Sequence, residues 1–398
     1  MKTKHALKIK VVLALLIPFV TFSCGGSSAE DKSENSASNY KLEVFDSLQF
    51  DILTSKLTVA DVDPENGDML VLQPSPPKYW LFDKELNVKA TLERPKDDPE
   101  GPGEHGLSAT FFGEGIATLG WFKVTIYDRE FNFEKAMIPN YPAMGLIMSG
   151  YKNIYDFRTP EGEHQLITYY GQPQTNLAPL SVDYYKKMNI VDLVKPSESE
   201  NLRDSVFYPF GKLTPDSRYL SGKYFPFLMP VYDVKGDKFY NTFNSDTTLY
   251  VRSLPDADIL NSYTIPFDKF ILMEGAKMGS IGQRPSGPQD TPGQIQSVFH
   301  HDKLDVIIYT SGLKVSEKAA FDRTSSNYRQ QVERANPKKY IIIRNGERVN
   351  KDLTIDKRVY YMEYMDDNGI IYAMQDSRAL DKEPEKYTIY KLRIVEDN

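Results

Sequence analysis

The sequence predicts an all-β protein, specifically a six-bladed β-propeller, with seven blades as the alternative. Three observations point there. Short apolar runs bounded by Gly, Pro, Asn and Asp dominate the chain, and long helical periodicity is almost absent. The segment Lys78–Lys89 (KYWLFDKELNVK) returns 45 residues later as Lys123–Glu134 (KVTIYDREFNFE), with Lys, Asp, Glu and Asn in register. A strand, a tight turn and an outgoing strand repeated at this period is what one blade per repeat produces. Finally, one outer strand can be placed near each of residues 79–83, 124–128, 180–192, 248–253, 340–344 and 387–394, which gives six units.

The first element is an export signal. Lys2, Lys4, Lys8 and Lys10 precede an apolar run from Val11 to Phe22, too short for a stable membrane span but of signal-peptide length. Thr21-Phe22-Ser23-Cys24 then places a small residue directly before the only cysteine. This resembles a bacterial lipobox, although Thr21 stands where that family carries an aliphatic residue. The resemblance implies that residues 1–23 are removed and that Cys24 is lipidated with palmitate-class chains. More than one acyl chain gives stable attachment. Gly25 in place of Asp after the cysteine implies the outer membrane, with either face open. The alternative is an ordinary secretory signal with an unrelated cysteine.

Residues 24–39 form the second element. Gly25–Asn39 (GGSSAEDKSENSASN) has no large apolar residue and so cannot offset chain entropy by burial, which predicts a flexible tether. Removing residues 1–23 takes four lysines and no acid from 48 basic and 55 acidic residues, moving the net charge from −7 to −11. An acidic domain is a poor partner for nucleic acid. A single cysteine at the lipidation position excludes a disulfide framework and thiolate chemistry elsewhere.

Residues 40–398 form the propeller. Lys41–Phe45 is the expected closing strand, pairing with the last blade as propellers commonly do. Asp63-Pro-Glu-Asn-Gly67 before Met69 and Asp366-Asp-Asn-Gly369 before Ile370 read as tight hairpins, since Asn-Gly accepts positive φ at little cost. A helical insertion is expected near residues 313–338, interrupting the fifth unit as a lid, a docking arm or a mobile segment. With its lipobox, tether, blade repeat and the Gly-Pro-Gly-Glu turn at Gly101–Glu104, the chain resembles the TolB-like six-bladed propeller lipoproteins of the Gram-negative envelope. Those motifs are architectural, so the resemblance implies a fold and a location without a chemistry. A pair of β-sandwiches is the competing architecture.

Site candidates come from a second internal echo. Arg94-Pro95 stands nine residues before Gly103, and Arg284-Pro285 stands nine residues before Gly293. Loops in equivalent positions emerge on one face of a ring, so Arg94, Glu104, His105, Arg284 and Gln294 are expected to converge at the channel mouth. Two arginines there suit bidentate binding of a carboxylate, phosphate or sulfated sugar. The competing reading makes both arginines braces of their own turns. His300-His301 is the one histidine pair, and only one of the two can face a given side of a strand. His301 is therefore expected to join His105 and Glu104. The paired tyrosines Tyr169-Tyr170, Tyr184-Tyr185 and Tyr360-Tyr361, with Trp80 and Trp121, are candidate sugar platforms, half of them expected to serve packing.

Asp61–Asp68 lacks glycine in the sixth position required of a calcium loop. Gly101-Pro-Gly103 lacks the lysine of a phosphate loop, and no Gly-x-Ser-x-Gly or His-Glu-x-x-His motif occurs. No cofactor or metal is expected. The expected function is a lipid-anchored binding or scaffold module for a protein partner or an anionic or carbohydrate ligand. The alternative is a hydrolase or lyase using a His/Glu/Arg cluster at the channel mouth.

Overall fold

A strand that is apolar along both faces needs cover on both, and runs such as Val306–Tyr309 and Tyr340–Ile343 therefore call for sheets stacked face to face. The computed structural model meets this demand with six four-stranded antiparallel sheets around an axis. It describes residues 39–397 except 53, 142–153, 171–176, 178–180, 182, 203, 205, 227, 279–288 and 381–384. The signal, Cys24 and Arg284 lie outside the described residues.

Listed from the inner strand outward, blade 1 is Thr58–Val62, Met69–Pro74, Pro77–Phe82 and Val88–Leu92. Blade 2 is Gly106–Phe112, Gly115–Gly120, Val124–Tyr127 and Phe133–Met137. Blade 3 is Ile154–Arg158, His164–Thr168, Asn189–Val194 and Phe207–Lys212. Blade 4 is Pro230–Lys235, Lys238–Phe243, Thr248–Ser253 and Ile259–Thr264. Blade 5 is Gln294–His301, Leu304–Thr310, Lys338–Arg344 and Glu347–Arg348. Blade 6 takes Val359–Met365, Ile371–Gln375 and Tyr387–Glu396 from the C-terminal end and its outer strand, Tyr40–Phe50, from the N-terminal end. The ring is thus closed by the segment expected to close it. The six strands located from the sequence are the third strands of their blades, not the outermost. A weaker, more polar outer strand follows each of the first five.

Six apolar clusters hold the ring together, one at each blade interface. Within Leu304–Thr310, Leu304, Val306 and Ile308 pack toward blade 6, while Ile307 and Tyr309 pack toward blade 4. That double burial is why the strand shows no polar alternation. The largest cluster, between blades 3 and 4, absorbs Tyr155, Tyr169, Tyr184, Tyr185, Tyr219 and Tyr232, which explains much of the tyrosine count. Trp80 is likewise buried, between blades 6 and 1.

The 45-residue repeat has a local cause. Asp83 Oδ1 accepts from the backbone N–H of Glu85 and Asn87, and Oδ2 accepts from Asn87 Nδ2. Asp128 does the same with Glu130 and Asn132. This side-chain staple holds Leu86 at φ 66° and Phe131 at φ 62°, a conformation non-glycine residues seldom adopt.

Two faces follow from the strand order. Inner strands begin on what we term the upper face and end on the lower face. Lower-face turns are short, including 63–68, 113–114, 159–163, 236–237, 302–303 and 366–370, with 195–206 the exception. The upper face has short links at 75–76, 121–123 and 244–247 but also carries the long connections, including 93–105, 213–229, 265–293, 311–337 and 376–386. The connection 311–337 carries the helical character seen in the sequence, as helices Val315–Lys318 and Tyr328–Ala335.

Candidate functional site

The residues singled out from the sequence fall in three different places. Arg94, Glu104 and His105 lie in the upper-face connection 93–105, but Arg94 is committed to its own loop. Its Nη1 donates to Asp98 at 3.1 Å and to Glu100 at 2.9 Å. Tyr127 Oη and Lys123 Nζ fasten the same loop by donating to the carbonyls of Glu100 and Pro99. The arginine therefore braces the turn. His105 packs against Trp121 with ring centroids 3.9 Å apart and the planes tilted by 41°, and Glu104 is exposed beside it.

Gln294 and His301 occupy the two ends of one inner strand, Gln294–His301. Eight extended residues span roughly 23 Å. Gln294 is thus on the upper face and His301 on the lower, where its ring is wedged against Gly369 of blade 6. The expected union of His301 with Glu104 and His105 is not formed. It failed because the length of the strand, invisible in a two-residue motif, separates its ends.

His300, beside it, donates from its backbone N–H to Asp233 Oδ2 at 2.8 Å, and its Nδ1 lies 2.7 Å from Asp305. Asp61 plays the same role between blades 1 and 2, accepting from Thr110 Oγ1 at 2.6 Å and from the Phe111 N–H at 2.9 Å. Lys235 spans to blade 6, donating to the Met365 carbonyl and to Asp367 at 3.0 Å. Burial pushes the nearby Asp156 carboxyl up to about 6 against the pull of His164, 2.7 Å away. Asp61 and Asp233 thus tie one blade to the next, Lys235 reaches from blade 4 to blade 6, and the Asp156–His164 and His300–Asp305 pairs lie within single blades. Among the described residues, no three His, Cys, Asp or Glu side chains are placed to hold a metal ion.

The upper face of blades 5 and 6 is built differently. A cavity of about 380 Å³ opens between helix Tyr328–Ala335 and blade 6. The helix contributes Arg329, Gln330 and Glu333; the inner strand contributes Tyr360; the turn after the second strand contributes Asp376 to Arg378. No residue of the helix is buried. It is docked by charge: Arg378 Nη1 donates to Glu333 at 2.7 Å, while its Nε and Nη2 both grip Asp376 at 2.9 Å. The Arg378 guanidinium lies 4.8 Å over the Tyr360 ring.

Behind Tyr360 sits a second set of charges. The Lys338 ammonium is 4.0 Å from the Tyr360 ring centre and 3.4 Å from that of Tyr361, and donates to the Tyr360 carbonyl. Burial and, secondarily, Arg378 lower its pKa to about 8. Glu363, 4% exposed, is pushed up by burial, with Lys56 opposing from 3.7 Å. Its Oε1 makes no hydrogen bond.

Sequence reasoning singled out Tyr360-Tyr361 alone from this set. Lys338, Glu363 and the pair Asp376 and Arg378 lie in three different segments with no common motif. The available signal was the polar helical insertion, which had to fold back onto some part of the ring.

By sequence, neither a family model nor a curated protein matches the chain. By structure, it is similar to a candidate exported protein from Bacteroides fragilis, with a TM-score of 0.51 at 10% identity over 92% of this chain and 98% of that one. It also matches the β-propeller domain of Cps50 (Swd1) from Myceliophteria thermophila, with a TM-score of 0.44 at 10% identity over 88% and 99% of the two chains. A protein of unknown function from Bacteroides caccae matches with a TM-score of 0.39 at 7% identity over 76% and 84%. At these identities the likeness speaks to the fold alone.

Proposed function

We propose that the chain is a lipid-anchored protein of the cell envelope, held through Cys24, whose propeller is a binding or scaffold module with the upper face as its working surface. The observation that carries this reading is the asymmetry of the two faces. Lower-face turns are mostly two to six residues long and hydrogen-bonded within themselves, whereas the upper face carries the long connections, the helices and the cavity. Binding residues concentrate on loops held by a rigid scaffold. Among the described residues no helix is long and apolar enough to cross a membrane, and acyl chains at Cys24 supply attachment in this reading. The chain enters the ring at its outer rim by the junction of blades 5 and 6, where Asn39 accepts from the Lys351 N–H and Tyr40 donates to the Val349 carbonyl.

Fractionating cells that express Cys24→Ser tests the anchoring. The variant is expected to fold and to leave the membrane fraction. A variant that stays with membranes through high-salt washing contradicts the lipoprotein reading.

A further inference from the structure

We propose that the cavity between helix Tyr328–Ala335 and blade 6 binds an acidic saccharide, with Arg329 receiving the carboxylate. The proposal deepens the binding-module reading and rests on it. Three observations select this ligand class.

The first is the lining. Every lining side chain presents a polar group, among them Gln330, Ser377, Asp376 and Glu333. An apolar ligand would strip water from these groups and return no hydrogen bonds. A ring bearing several hydroxyls returns them, and about 380 Å³ accommodates one or two such rings.

The second is the state of the two arginines. Arg378 has its guanidinium committed to Asp376 and Glu333, which fixes it as part of the wall. Arg329 gives only its Nε, to Glu333 at 3.0 Å. Its side chain is 90% exposed, so both terminal nitrogens remain available as a fork. A planar fork matches a carboxylate bidentately.

The third is the sign of the surrounding charge. In a chain of net charge −7, the lining sets Arg329 and Arg378 against Glu333 and Asp376, and Lys338 adds a further cation behind Tyr360. Deeper in, Lys56 and Glu363 offset each other at 3.7 Å. The local balance is therefore positive, opposite to the molecule as a whole, and favours an acidic sugar over a neutral one.

The test is calorimetric titration of the full chain with trigalacturonate, with a hyaluronan tetrasaccharide carrying glucuronate, and with the methyl ester of trigalacturonate, which keeps the rings and removes the charge. At least one acid is expected to bind, and at least tenfold tighter than the ester. Arg329→Gln, at an exposed position where folding is not at risk, is expected to lower affinity for the acid about tenfold and to leave that for the ester unchanged. Equal binding of acid and ester, indifference to Arg329→Gln, or no binding of either acid overturns the proposal. In that last case a Cys24→Ser variant that leaves the membrane keeps the anchored-module reading standing, so the two failures are told apart.

Discussion

The lower face and the upper face of this ring use the same kinds of side chain for opposite ends. On the lower face, acids are spent inside the protein. Asp61 and Asp233 each accept a backbone N–H from the inner strand of the next blade, and Lys235 closes on Asp367. On the upper face of blades 5 and 6, charges hold an otherwise unburied helix against the ring, and one guanidinium fork is left over. The comparison teaches that charge content does not mark a site. What marks it is whether each donor and acceptor already has a partner within the fold.

The largest expected effect is on the lower face. Asp61→Ala leaves the Thr110 hydroxyl and the Phe111 N–H without their acceptor in a buried setting, at a cost of about 3 kcal/mol. Denaturant unfolding should show it as a lowered midpoint at unchanged slope. A loss below about 1 kcal/mol would mean that the blades are held by their apolar clusters alone.

Next comes Lys338. Its folded pKa of about 8 lies below the ordinary 10.5, so folding binds this proton less well than the unfolded chain does. The penalty is complete below pH 8 and is relieved as pH rises from about 8 to about 10.5. Lys338→Met is accordingly expected to stabilise the protein at pH 7 by at most about 3 kcal/mol. The gain should shrink across that same interval. Melting temperatures from pH 7 to 10.5 check the sign, and a variant destabilised at pH 7 reverses it.

Arg94→Ala should cost about 1 kcal/mol, since two partly exposed ion pairs and a braced loop are lost. Ligand titrations should be unaffected. Weaker ligand binding at unchanged stability would restore Arg94 as a contact residue.

The smallest effect on stability is expected from Glu333→Gln, within about 0.5 kcal/mol, because the helix it docks buries no side chain. Amide exchange in residues 328–335 should nevertheless quicken, and high salt should do the same to the wild type. Unchanged exchange in both experiments would show that the helix is held by something other than the Arg378–Glu333 pair.

Much of the fold was legible in the sequence because it is local or repetitive. The Asp83 and Asp128 turns repeat residue for residue, and Asn66-Gly67 and Asn368-Gly369 announce hairpins, with Gly67 at φ 79° and Gly369 at φ 75°. The closing strand was visible because a ring needs one. Outer strands such as Glu347–Arg348 were not, since two polar residues carry no periodicity. The site was the least legible part. Arg94 looked like a ligand contact because Asp98 and Glu100, four and six residues away, are ordinary acids until the loop curls. His301 looked like a partner of His105 because a two-residue motif tells which side of a strand each ring takes and nothing of the end at which it sits. The cavity joins residues 329, 360 and 378, which only the ring brings together.

The division of labour between the faces is tested most directly by hydrogen exchange of the full chain with and without whichever of trigalacturonate and the hyaluronan tetrasaccharide binds. The account predicts slowed exchange in 328–335, 359–361 and 376–378 on the upper face. The lower-face turns 63–68, 302–303 and 366–370 should be unchanged. Protection of those lower-face turns, with none around helix Tyr328–Ala335, would contradict it.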